Sequence, residues 1–226
     1  GGRDGGRSMR VALLGLGEMG GHYARSLVAG GFPPVVFDPD AGRRAAVADG
    51  AAAAESAVAA VAVSAVVLTA LPSAESWRDL MDRELVPAAR PGQTFVDLGT
   101  SRPADVCRIA RLLASKDAAL VDAPVSGGPS GAARRELFVF AGGSVEALAR
   151  VRPVLVALGG AERITHCGPP GAGQIVKGVN QLAMGLGAAA FLEALAYARR
   201  LGVEPGVTAA AIAGVLGHFH GEDHDR

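Results

Sequence analysis

From residue 10 onward the chain alternates short apolar runs with longer amphipathic stretches. Residues 10–14 form an apolar run that ends in glycine, and residues 18–29 then have helical composition, closed by Gly30-Gly31. A second run, 34–37, ends at Asp38, and the helical stretch 41–48 is stopped by Gly50. Strand-like runs recur at 65–70, 94–97, 119–122, 137–141 and 163–166, with helical segments at 73–85, 103–114 and 145–158. Short strands alternating with helices of this length predict βαβ units. The expected fold class is α/β, a mostly parallel sheet with helices on both faces, over residues 9–167.

The pattern changes at Gly168-Pro169-Pro170-Gly171, and residues 172–201 carry no strand signal. There Ile175, Val179, Leu182, Leu186 and Ala190 fall at helical spacing, and the opposite side is nearly as apolar. A helix apolar almost all round is expected to be buried, under cover from the first domain or another chain. A second helical stretch, 205–216, follows, so residues 168–217 read as the start of a helical domain. Residues 218–226 have no core pattern and are expected to be a disordered tail, its His218, His220 and His224 holding no functional metal. Residues 1–8 read as a leader ahead of Met9. The uncharged stretch 56–74 is long enough to cross a bilayer. Its Ser64, Thr69, Pro72 and Ser73 split it instead into a helix end and a short buried strand, so no membrane partner is expected.

Composition narrows the function classes. Lys+Arg and Asp+Glu are 22 each, and aromatics are 4%. That balance supplies neither a basic surface nor a stacking platform for nucleic acid. Two cysteines, Cys107 and Cys167, exclude a disulfide scaffold and a four-thiolate zinc site, so a reducing, cytoplasmic setting is expected. Of the basic residues only Lys116 and Lys177 are lysines.

Three motifs carry chemistry. Gly15-Leu16-Gly17-Glu18-Met19-Gly20 follows a strand and opens a helix. In that context the first glycine permits a tight turn and the second lets backbone approach a pyrophosphate. The third lets helix pack on strand. Asp38 ends the next strand, where a carboxylate would accept from ribose hydroxyls and favour NAD over NADP. Arg43 and Arg44 either take up a 2′-phosphate or form a solvated helix face. Asp122-Ala-Pro-Val-Ser126-Gly127-Gly128 presents backbone amides and one hydroxyl, either for a substrate carboxylate or as a turn without ligand. Lys177, Asn180 and Gln181 share one face of a helix. Arginine cannot shed its proton near neutrality, whereas a partly desolvated lysine can. In an arginine-biased chain, Lys177 either marks a place where a titratable amine is required or is an interfacial lysine that snorkels.

Taken together these segments form an ordered set. Gly15–Gly20, Leu71-Pro72-Ser73, Asp97-Leu-Gly-Thr100-Ser-Arg-Pro103, Asp122–Gly128 and Gly171-Ala-Gly-Gln-Ile-Val-Lys177-Gly-Val-Asn180 resemble the β-hydroxyacid dehydrogenase family. The nearest branches are the 3-hydroxyisobutyrate dehydrogenases and tartronate semialdehyde reductases. The resemblance implies a Rossmann-type domain followed by a helical domain. It implies that Gly15, Leu16, Gly17, Met19, Gly20, Asp38, Leu71, Pro72 and Thr100 hold NAD, with NADP as a second possibility. It implies that Ser126, Gly127, Gly128 and Asn180 hold the carboxylate of a small hydroxyacid or semialdehyde, and that Lys177 is the general acid/base. The pattern departs at Arg135-Glu136, which is more charged, at Gly99, where serine is common, and at Gln181, where asparagine is common. Against the family's longer second domain, which closes the cleft and builds the dimer, the chain reads as C-terminally truncated. The expected full-length form is a homo-oligomer. Two other readings are open: a cofactor-binding or dimerisation module without turnover, and an imine reductase, whose members tend to lack the lysine.

Overall fold

The computed structural model describes residues 9–47 and 49–219, with side-chain surroundings as far as Ile212. The first strands are β1 (Val11–Leu14), β2 (Val35–Phe37), β3 (Ala52–Ala53), β4 (Val66–Thr69), β5 (Thr94–Asp97) and β6 (Ala119–Asp122). The sheet continues with β7 (Val125–Ser126), β8 (Phe138–Gly142) and β9 (Ile164–Gly168). The order is β3-β2-β1-β4-β5-β6-β8-β7, with β9 on the far side of β8. From β3 to β6 every pairing is parallel, while β8 runs antiparallel to β6 and β7. The expected mostly parallel sheet is therefore present. Strands β3 and β7, two residues each, lie where no run had suggested a strand.

Helices cover both faces. They are α1 (Glu18–Ala29), α2 (Ala41–Ala45), α3 (Ala57–Ala62), α4 (Ala74–Leu80), α5 (Val86–Ala88), α6 (Pro103–Ala114), α7 (Gly128–Arg134) and α8 (Val145–Gly159). Between α4 and α5 the backbone widens into a π turn, Met81–Leu85, leading into Pro87. Proline has no N–H to give to the preceding turn, and a widened turn relieves the missing bond. Strands β1, β2, β4, β5 and β6 divide their residues between two cores, as a doubly covered sheet requires. Val11, Leu13, Leu68 and Val96 pack with Tyr23, Leu27, Val151 and Leu155. Ala12, Leu14, Val67 and Phe95 pack with Trp77, Met81, Ile109 and Leu113. Leu13 is fully buried, and Leu13→Ala would cost about 2–5 kcal/mol.

The described residues divide into two compact units, the first ending at Lys177 and the second beginning at Gly178. Both share helix α9 (Ala172–Arg200), and α10 (Pro205–Phe219) completes the second. The cover that α9 is expected to need is not supplied among the described residues. In α9 only Gly173 and Gln174 are buried, and Leu182, Met184 and Leu186 are about 60% exposed. An apolar circumference shows that a helix needs cover, and it does not show what supplies it. Helix α9 is also long and apolar enough, by length and composition alone, to cross a bilayer. Of the tail, α10 takes in His218 and Phe219, while His220 and His224 lie outside the described residues.

Candidate functional site

The carboxyl ends of β1, β2 and β4 surround a cavity of about 700 Å³. Its floor is the turn from β1 into α1. Gly15 has φ +93°, and a Cβ there would stand 2.4 Å from the Ala70 carbonyl oxygen. A Cβ on Gly20 would stand 2.1 Å from the Gly15 oxygen, so both positions accept only glycine. Gly17 differs: the nearest atom to a Cβ there is the Arg43 guanidinium at 3.9 Å. The space above Gly17 is open to a ligand. Gly17 is also the N-cap of α1 and gives no side-chain cap, so the first amides of a twelve-residue helix face that space. Open amides at the positive end of a helix dipole suit a phosphate.

Asp38 stands beside this loop, 4% exposed. Its Oδ2 accepts from the Leu16 N–H at 2.8 Å and its Oδ1 from the Asp40 N–H at 2.9 Å. A carboxylate has further acceptor capacity, so a ribose hydroxyl can still be met. The two neighbouring arginines separate. Arg43 lines the cavity with its guanidinium 3.7 Å from Asp38 Oδ2. Arg44 turns away and donates to the carbonyl oxygen of Asp38. Met19, Leu71 and Pro72 also line the cavity. Leu16 contributes its amide, its side chain being in the core. Thr100 is exposed on the loop after β5 and does not line the cavity. An open Gly17 cradle with a buried acceptor and a cation beside it fits a dinucleotide, held by Gly15–Gly20 and Asp38.

Farther along the sheet edge, Ser126 is half-buried in β7 opposite Phe138. Gly127 (φ +131°) and Gly128 (φ +61°) follow, both exposed and both in backbone conformations that favour glycine. Lys177 is half-buried on α9, and burial holds its amine below the usual lysine range. In the second unit Asn180 donates to Gln181 Oε1 at 3.3 Å and lies 3.5 Å from the Met184 sulfur.

Sequence reasoning gave no role to Asp97 or Gln174, and the structure shows both at the centre of a buried network. Asp97 and Asp122 are register partners at the ends of β5 and β6. Asp122 Oδ1 accepts from the Gly171 N–H at 2.7 Å, and its Oδ2 from the Gln174 N–H at 2.9 Å. The Gln174 amide donates to Asp97 Oδ2 at 3.3 Å and to the Gly99 oxygen at 3.0 Å, and its Oε1 accepts from the Ser101 N–H at 3.0 Å. Burial pushes the Asp97 carboxyl up to about 6, and the Asp122 charge adds to the rise. The Ser101 hydroxyl and the Gly99 amide oppose it, although Ser101 Oγ itself lacks hydrogen-bond geometry to any described partner. Asp122 is raised too, again chiefly by burial, against the amides of Gly171 and Gln174. The only prior sign of these residues was their place in quoted motifs.

Residues 10–168 match the family model described as the NAD binding domain of 6-phosphogluconate dehydrogenase. A probable 3-hydroxyisobutyrate dehydrogenase of Mycobacterium tuberculosis is 37% identical over 209 residues, 92% of this chain and 70% of that protein. An NAD-dependent L-serine dehydrogenase of Pseudomonas aeruginosa is 35% identical, over 92% of this chain and 68% of that protein. The solved structure of Mycobacterium tuberculosis 3-hydroxyisobutyrate dehydrogenase with L-serine superposes with a TM-score of 0.85 at 36% identity. It covers 91% of this chain and 70% of that one. With the glycine loop, the acidic end of β2 and these relatives in agreement, the chain belongs to the β-hydroxyacid dehydrogenase family of oxidoreductases and carries its NAD-binding domain.

Proposed function

We propose that the chain interconverts a short 3-hydroxyacid, of the 3-hydroxyisobutyrate, glycerate or serine type, and its semialdehyde, with Lys177 as the general acid/base. The observation that carries this is the state of Lys177. It is one of two lysines in the chain, it is half-buried at the start of α9, and burial lowers its amine toward neutrality. A proton-transfer group works best when its pKa approaches the working pH. Bound NAD supplies the hydride acceptor, and NADH the donor. In oxidation the neutral Lys177 amine takes the hydroxyl proton as the carbon–hydrogen bond breaks. In reduction the ammonium returns it to the carbonyl oxygen. Ser126, Gly127 and Gly128 hold the substrate carboxylate, with Asn180 assisting, and so present the reacting carbon. Asp38 favours NAD by accepting from the ribose and repelling a 2′-phosphate. The reading includes a cytoplasmic homo-oligomer, which the exposed apolar residues along α9 support.

Lys177→Ala tests it. Turnover of 3-hydroxyisobutyrate or L-serine should fall about 10²–10⁴-fold. NADH affinity, measured by fluorescence titration, should be unchanged. Full turnover in the variant would remove Lys177 from the chemistry. In the parent, oxidation should gain as pH rises toward the amine's lowered pKa, and reduction should lose over the same range.

A further inference from the structure

The first amides of a helix have no partner within it, and a buried start must find partners elsewhere. At α9 one carboxylate, Asp122, supplies two of them, through bonds to the Gly171 and Gln174 amides. Gln174, 5% exposed, extends the attachment to Asp97, Gly99 and Ser101. The backbone is seated as tightly. A Cβ on Gly173 would stand 2.2 Å from the Phe140 oxygen, and one on Gly142 would stand 2.4 Å from Asp122 Oδ1. Helix α9 therefore cannot slide or turn at its start without breaking several buried bonds at once. Lys177 follows Gln174 by three residues, less than one turn of helix. Asp122 also begins the segment that carries Ser126, four residues on, so one residue ties the lysine and the carboxylate-binding turn to a common frame.

We propose that Asp122, backed by Gln174 and Asp97, is the positioning residue that sets the depth of Lys177, an inference that rests on Lys177 as the proton-transfer group. Asp122 does not touch substrate in this account. It acts by fixing where α9 begins. In Asp122→Asn one oxygen becomes an NH2 group that faces a backbone N–H, and the helix start must shift to separate the two donors.

The test uses the full chain and the fact that it has two lysines. Acylation by acetic anhydride is followed against pH by mass spectrometry, with Lys116, whose amine donates to the Pro87 carbonyl oxygen far along the chain from α9, as internal reference. In Asp122→Asn the labelling midpoint of Lys177 should rise toward the usual lysine range, and the labelling of Lys116 should not change. Turnover should fall by on the order of 10- to 100-fold, the effect of a small misplacement, with NADH affinity retained. A variant that keeps its circular dichroism and leaves the Lys177 midpoint unmoved overturns the proposal, since a merely structural carboxylate predicts that result. Where Asp122→Asn does not fold, Gln174→Met decides: it leaves both Asp122–amide bonds in place, so the Lys177 midpoint should stay near its parent value, and a full rise would move the placement from Asp122 to Gln174 and overturn the proposal. Lys177→Ala separates the two ideas. If it retains turnover, the acid/base role fails, while the labelling midpoint still reports whether Asp122 places the amine.

Discussion

Around the glycine loop the site is shaped by backbone, and around the start of α9 it is shaped by side chains. Gly15 and Gly20 form the floor of the cavity because no Cβ fits there, and both lie in one six-residue segment. At α9 the contacts are Asp122, Gln174 and Asp97, which join positions 49 to 77 residues apart. The first construction is rigid and local. The second is a buried polar network, strong only while every member is satisfied. Cofactor binding should therefore fail by steric exclusion, and proton transfer by loss of register.

The largest expected effect comes from Gly20→Ala. Its new Cβ meets backbone at 2.1 Å, so stability should fall by about 3 kcal/mol, the upper part of the usual overpacking range, and NADH binding should be lost with it. Gly17→Ala, whose Cβ meets open space, should weaken NADH binding with little change in melting temperature. Equal effects of the two substitutions on thermal unfolding would erase the distinction between floor and cradle.

A smaller effect, specific to the α9 region, is a dependence of stability on pH. Asp97 rises from an ordinary 3.8 to about 6 on folding, so the folded state holds its proton more tightly than the unfolded chain does. That contribution is complete below about pH 4 and is lost as pH rises through about 6, by on the order of 3 kcal/mol. Asp97→Asn should flatten the fall in melting temperature between these pH values, leaving the lesser slope of Asp122. An unaltered slope would show that Asp97 does not carry the charge of the network.

The smallest effect concerns cofactor choice. Asp38→Asn keeps an acceptor for the Leu16 amide and removes the charge, so the preference for NADH over NADPH should narrow about tenfold, roughly 1.4 kcal/mol. Asp38→Ala should narrow it as well and in addition weaken both cofactors, because the loop loses its tether. Fluorescence titration of both variants with both cofactors checks this, and identical affinities in the two variants would deny Asp38 its second role.

The same division explains what could be read from the sequence. Strands β1, β4, β5 and β6 are short, mostly apolar runs, as strands covered on both faces must be, and they were legible. Strand β3 is two alanines, and β7 is Val125-Ser126 inside a turn motif, and neither is long enough to show a period. The glycine loop was legible because its geometry is written in consecutive residues. The bond from Gln174 to Asp97 spans 77 residues and leaves no periodic trace. Thr100 entered the cofactor set by resemblance, and the loop after β5 carries it outside the cavity. The apolar circumference of α9 reads as a demand for cover, and nothing in the periodicity says what supplies it.

One consequence follows for how this site can change over generations. Asp38, proposed here to accept from the ribose, also holds the Leu16 amide, so the residue expected to discriminate between cofactors is also a strut of the glycine loop. A descendant that acquired NADP use by simply discarding the carboxylate would slacken its own phosphate cradle. The open route retains an oxygen at position 38 and recruits Arg43, which already stands within 4 Å of that carboxylate and lines the same cavity. Cofactor preference in this lineage should then drift by steps that keep a neutral acceptor in place, and abrupt reversals should be rare.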